Sequence, residues 1–276
     1  MSYTFQSNRF YRMPTHFGPS LGPRQGLDGR GYTCVDTPNV TSIKAAFKVQ
    51  ADQVNRYLPP GFSCCEPNLI YLSFSYCTDI EWLAGRGYNT FGVSVPASYQ
   101  GQRDSVDGEF LLVLWENMAD PIITGREDLG FSKVYCELPE PQFIDDKVIC
   151  RASWDGCQFA GLQLSGLKEI TPQEFPVSPP SDGTLHYKYI PKTSASGDAD
   201  AAYAVLTPSS WPNVKVDQTM IAASASCHFR ESSWEELPTL VHIVNALAEL
   251  TMGDCVEATL VKFHGGKDLS DQRILA

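Results

Sequence analysis

Apolar and polar residues alternate along much of this chain with the two-residue period of strands, not the 3.6-residue period of helices. The alternation predicts strands over residues 42–49, 69–77 (LIYLSFSYC), 90–95, 110–115, 147–154, 157–165 and 255–263. Each is rich in β-branched and aromatic side chains and is bounded by turn residues. Helical spacing occurs twice. Val54, Tyr57 and Leu58 share one face of a short helix stopped by Pro59-Pro60-Gly61. Pro238 opens a longer one, with Leu240, Val241, Val244, Leu247 and Leu250 on its apolar face until Gly253. Residues 178–202 are polar and loop-like apart from the alternating stretch 185–190. Many strands with two modest helices predict a mainly β fold built on a closed, barrel-like sheet.

Residues 1–32 break the pattern. Segments such as FGPSLGPRQG suit neither helix nor regular strand, and four arginines lie among them (Arg9, Arg12, Arg24, Arg30). They predict an extended N-terminal arm, laid over the body or over a neighbouring subunit, with residues 33–276 forming a single domain. An arm that needs a surface makes a homo-oligomer the expected assembly. The 276 residues carry 21 Lys+Arg against 32 Asp+Glu, a net charge of −11. Such a surface repels phosphate backbones, so nucleic acid and anionic lipid are poor partners.

The nine cysteines are scattered, with no C-x-x-C pair, and they read as free thiols of a reducing cytoplasm. The opening MSYTFQSNRFYRMPTH lacks the apolar centre of a secretory signal, and no apolar run is long enough to span a membrane. The five histidines are far apart, and no metal site and no cofactor is expected. Phosphate-binding loops, the G-x-G-x-x-G fingerprint, the G-x-S-x-G elbow and H-E-x-x-H are all absent.

One segment concentrates the chemistry: DPIITGREDLGFSKVYCEL, from Asp120 to Leu138. Lys133 is the only charge in the apolar run that follows Arg126, Glu127 and Asp128. Periodicity alone leaves it two readings: an outward lysine on a solvated strand face, or a lysine in a desolvated pocket. Burial in such a pocket disfavours the ammonium and frees a neutral amine to attack a carbonyl.

The spacing from Gly125-Arg126-Glu127 to Phe131-Ser132-Lys133 resembles the active-site segment of the acetoacetate decarboxylase superfamily. The likeness extends through YNTFGVSVP at residues 88–96, FLLVLWEN at 110–117 and the strand–helix–Pro-Pro opening at 43–60. It implies a cone-like closed β-barrel with short peripheral helices and a Schiff-base lysine, Lys133, inside. Where the decarboxylases carry a second lysine this chain has Val134, and a pocket glutamate of the family becomes Thr90. The family's other glutamate falls in LIYLSFS, which has no acid, and its pocket arginine falls near Val40. These departures resemble a single-lysine branch that performs aldol condensation, dehydration or cyclisation. They leave desolvation to activate Lys133, which is expected to be buried, with a lowered pKa and without a salt bridge to Glu127.

Glu116 is the nearest replacement acid–base group, or else a strand-end carboxylate in water. Arg126 and Glu127 either pair to support the lysine loop or touch substrate. Tyr88, Thr90 and Trp115, with Arg24 and His16 from the arm, are the candidate substrate contacts, although core packing also accounts for the aromatic ones. The expected function is a Schiff-base lyase of decarboxylase or aldol type on a small carbonyl substrate, in specialised metabolism. The alternatives are a barrel that folds an apolar polyketide-like ligand for cyclisation without an imine, and a non-catalytic small-molecule binder.

Overall fold

The computed structural model describes residues 4–171, 174 and 180–276. The strands are, in chain order, β1 (Asn39–Lys48), β2 (Phe62–Cys64), β3 (Leu69–Ile80), β4 (Arg86–Gln100), β5 (Ser105–Glu116), β6 (Lys133–Tyr135), β7 (Gln142–Ile144) and β8 (Lys147–Trp154). They continue with β9 (Cys157–Ser165), β10 (Lys168–Glu169), β11 (Gly183–Pro191), β12 (Ala199–Pro208), β13 (Lys215–Ile221), β14 (Ser224–Phe229), β15 (Cys255–His264) and β16 (Arg273–Ile274). Three short helices lie between them: α1 (Ala51–Asn55), α2 (Ala119–Thr124) and α3 (Val241–Ala248). None of the described helices is long and apolar enough to cross a membrane.

The expected mainly β, barrel-like fold with peripheral helices is what the chain forms. Its large sheet runs β10-β13-β15-β1-β3-β4-β5-β11-β12-β16, with β2 on β4 and β6 on β5. This order is an open path, so hydrogen bonds do not close the wall. A second sheet, β14-β9-β8-β7, packs against it. The contact is aromatic. Phe74 stacks on Phe91 (4.1 Å between centroids), Phe91 on Trp115 (5.1 Å), and Trp115 meets Phe159 of β9 at 5.4 Å.

Strand register places this core. Leu260, Ile43, Phe74, Phe91 and Trp115 are directly paired across β15, β1, β3, β4 and β5, and all are fully or almost fully buried. The next rung, Val261, Ser42, Ser75, Thr90 and Glu116, points to the opposite face, because successive side chains alternate.

Two expectations about elements are corrected. The helix predicted from Pro238 to Gly253 is helical only over Val241–Ala248. Ser233 and Glu236 hydrogen-bond reciprocally and close a separate turn, so the apolar Leu237 and Leu240 pack ahead of the helix. The loop expected over residues 178–202 begins outside the described residues, and most of the remainder is β11 and the start of β12.

Before β1 the described chain forms no extended strand, only a bridge between Gly22 and Gln25 and a single 3₁₀ turn, Thr15–Phe17. It is fastened at two places. Arg12 forms an ion pair with Asp128, both largely buried, and Arg24 donates to the Leu269 carbonyl and to Gln272 Oε1.

Trp115 joins the two sheets, so Trp115→Ala should cost about 3–5 kcal/mol of unfolding free energy. Urea unfolding followed by circular dichroism measures this. A loss below about 1 kcal/mol would mean that the aromatic stack is not the joint between the sheets.

Candidate functional site

Lys133 and Glu116 are 17 positions apart, and the fold makes them neighbours. After Glu116 the chain leaves β5, turns through α2 and returns as β6, parallel to β5 with Lys133 beside Leu114. Leu114 and Glu116 share a strand face, so Lys133 reaches the carboxylate along that face. Leu114 N–H donates to the Ser132 carbonyl and Cys136 N–H to the Glu116 carbonyl, which fixes the return.

The lysine is 6% exposed and the glutamate 1%. Nζ lies 2.7 Å from Glu116 Oε1 and donates to the Pro121 carbonyl at 3.1 Å. The rings of Phe131 and Tyr88 stand 5.6 and 5.9 Å from it. Burial pushes the Glu116 carboxyl above its usual range, and the Lys133 charge only partly offsets this. Glu116 Oε2 is buried without a hydrogen-bond partner.

A π-helical turn, Gly125–Leu129, seats the lysine, and Gly130 ends it in the left-handed conformation (φ +80°). A Cβ on Gly125 would lie 2.7 Å from Nζ and closer still to Cδ and Cε, so any side chain here would push the end of the lysine out of its place. Arg126 Nη1 donates to the Lys133 carbonyl at 2.8 Å. No ion pair joins Arg126 to Glu127 or Glu127 to Lys133 among the described residues; the Glu127 carbonyl instead accepts from Lys188 Nζ.

Lys133 lines a cavity of about 320 Å³. Phe263, Val40, Cys77 and Tyr88 form one rung across β15, β1, β3 and β4, and all four face into it. The arm supplies Pro23 and Tyr32, and the segment after β15 supplies Gly265–Leu269. Burial, with the Glu116 charge adding to it, pushes the Cys77 thiol up to about 12 and the Tyr88 hydroxyl well above its ordinary 10. Both keep their protons, so Cys77 is no rival nucleophile and Tyr88 remains a donor.

Several expected contacts lie elsewhere. Trp115 sits in the aromatic core, because its strand neighbour Glu116 takes the site face. Thr90 shares the face of Tyr88 and Glu116 but does not line the cavity. His16 is exposed on the arm, against Phe17. Arg24 is turned to Leu269 and Gln272, behind the cavity wall. The carboxylate beside Nζ is that of Glu116, the expected acid–base candidate, and not that of Glu127.

Sequence reasoning missed the role of His186. Fully buried, it contacts the Gly130 carbonyl through Nδ1 at 3.0 Å and Thr207 Oγ1 through Nε2 at 3.1 Å, with its ring stacked on Phe131. Burial lowers its pKa to about 4, so the neutral ring braces the turn before Lys133. Its strand alternation was legible; its partner in the lysine loop was not.

Comparison with known proteins bears on the fold and the family. No curated protein matches the chain. Among solved structures, an acetoacetate decarboxylase-like enzyme from Sphingomonas wittichii RW1 is similar at a TM-score of 0.62 and 14% identity, over 86% of this chain and 91% of its own. Acetoacetate decarboxylase from Legionella pneumophila gives 0.58 and 17%, over 89% and 90%. The enduracididine biosynthesis enzyme MppR, complexed with the condensation product of pyruvate and imidazole 4-carboxaldehyde, gives 0.61 and 14%, over 93% and 98%. Identities this low speak for the fold alone. The family model for acetoacetate decarboxylase, however, matches residues 12–263, nearly the whole chain, with Lys133 and Glu116 inside the match, and the protein therefore belongs to the acetoacetate decarboxylase family.

Proposed function

We propose that this protein is a lysine-dependent carbon–carbon lyase in which Lys133 Nζ forms an imine with a small carbonyl substrate. The observation that carries this is the buried pair: a lysine on the wall of a half-open cavity with a carboxylate 2.7 Å from its nitrogen. Imine formation needs the nitrogen lone pair. Glu116, whose carboxyl is raised by burial, is placed to take the ammonium proton, leaving a neutral amine beside a neutral acid.

The lone pair then attacks the carbonyl carbon. The carbonyl oxygen leaves as water, with one proton from the amine and one from Glu116, and an iminium remains opposite the regenerated carboxylate. Tyr88, still protonated, is a donor for the developing oxyanion. The iminium draws electrons from the adjacent carbon. Loss of carbon dioxide, or removal of an α proton by Glu116, then yields an enamine for aldol or dehydration chemistry. The MppR complex, holding a condensation product of a keto acid and an aldehyde, supports carbon–carbon bond formation as a use of this fold.

Cyanoborohydride with a ketone probe should add the probe's mass less one oxygen to a peptide containing Lys133, because water is lost and a hydride and a proton are gained. Lys133→Ala should give no adduct and lower turnover by at least about 10³-fold. Turnover retained in that variant would replace the imine by a cavity that acts through orientation alone. For the wild type, the trapping rate should fall as pH drops through a midpoint above the ordinary 4.5 of a glutamate, because protonation removes the base. Glu116→Gln should trap about 10²-fold more slowly and lack that acidic limb. Gly125→Ala should displace the lysine and slow trapping by roughly 10²-fold, with the fold intact by circular dichroism.

A further inference from the structure

The cavity wall is rich in aromatic surface and poor in available positive charge. Tyr32, Trp82, Tyr88, Phe131, Trp211 and Phe263 all line it, drawn from the arm, four separate stretches of the body and the last long strand. The described residues that line it include two cations, and each is already engaged. Lys133 holds Glu116, while Lys267 holds Asp271 at 2.7 Å and the Pro208 carbonyl at 2.6 Å, its ammonium 4.7 Å from the Trp211 ring. Two further carboxylates, Glu81 and Asp268, line the same space. Glu81 accepts from the Thr37 hydroxyl and Asp268 from Ser270, so neither is neutralised by a cation of the wall. Arg24, behind the wall, stands near Asp128, Asp268 and Asp271.

From this balance we infer the class of substrate: a neutral carbonyl compound, an aldehyde or ketone without a carboxylate, that carries an aryl or comparably flat apolar group. A substrate carboxylate in this cavity would meet the exposed Glu81 and the half-buried Asp268 and find no unpaired cation among the described lining residues, so it would give up water without gaining a partner. An aryl group meets ring faces and edges, against which stacked and edge-on contacts are favourable. The cavity's 320 Å³ lies at the small end of ligand sites, large enough for one ring and a short carbonyl chain. This inference rests on the imine proposed above, and it narrows that chemistry. A neutral substrate has no carboxylate to lose, so the enamine is formed by loss of an α proton and serves aldol, retro-aldol or dehydration steps.

Four probes separate ring from charge: 4-phenylbutan-2-one, butan-2-one, phenylpyruvate and pyruvate. Calorimetry on the intact protein reads binding, and cyanoborohydride followed by peptide mass reads the adduct on Lys133. Phenylbutanone should bind roughly tenfold or more tightly than each of the other three, the discrimination that an apolar pocket gives per group. Trp82→Ala should erase its advantage over butanone, and Trp82→Phe should restore it. Glu81→Gln together with Asp268→Asn should bring phenylpyruvate closer to phenylbutanone.

Phenylpyruvate or pyruvate binding as tightly as phenylbutanone would overturn the inference, as would butanone matching it or phenylbutanone failing to bind at millimolar concentration. The expected order without any adduct would overturn the imine and leave the substrate class standing. An adduct formed more readily with pyruvate than with phenylbutanone would do the reverse.

Discussion

The register between β3, β4 and β5 is the constraint on which the molecule depends. One rung, Phe74–Phe91–Trp115, faces the second sheet and builds the core; the next, Ser75–Thr90–Glu116, faces the lysine. A slip of one residue would exchange the two sets, moving a carboxylate into the aromatic core and an indole to the lysine. Core and site are therefore specified together. The aromatic contacts, each worth about 0.5–1.5 kcal/mol beyond area burial, help to hold Glu116 in place although none touches it.

The Lys133–Glu116 pair contributes little to stability by comparison. Removing two charges from water offsets most of their attraction, and Glu116 Oε2 remains without a partner. The surroundings maintain the arrangement at some cost. A side chain at Gly125 would displace the lysine, a left-handed residue ends the turn, and the buried His186 makes hydrogen-bonding and ring contacts with that loop and Thr207. Such expense around one ammonium fits a group kept for reactivity.

Legibility in the sequence followed the physics of each element. The long strands announced themselves because apolar β-branched and aromatic residues recur along them between turn signals, even where burial runs over three or four successive residues, as in β1, β4 and β9. β8 and β9 were read to their observed ends. β14 alternates only between exposed and partly exposed positions and offered no such contrast. Lys133 and Glu116 could each be singled out, but their contact needed the parallel pairing of β6 on β5, which 17 positions of intervening chain do not reveal. Adjacent residues on one strand cannot both face one site, so naming Trp115 with Glu116 contained its own contradiction. Trp211, Lys267 and Asp268 belong to irregular segments, where no periodicity tells which way a side chain points.

The cavity draws its wall from almost the full span of the chain. Pro23 and Tyr32 stand near one end of the sequence, and Lys267 and Leu269 near the other. Arg24 is tied to Leu269 and Gln272, 245 and 248 positions away. During synthesis residues 23–32 leave the ribosome well before the surface that receives them is translated. Some 240 residues must emerge before that contact can form, which at about 5–20 residues per second amounts to roughly 12 to 50 seconds. Through that interval the Arg24 contacts are unmade, and the cavity wall that Pro23 and Tyr32 share with Lys267 and Leu269 stands open on one side. Nascent chains of this protein thus hold Lys133 in a cavity that lacks part of its wall until the segment after β15 has been made.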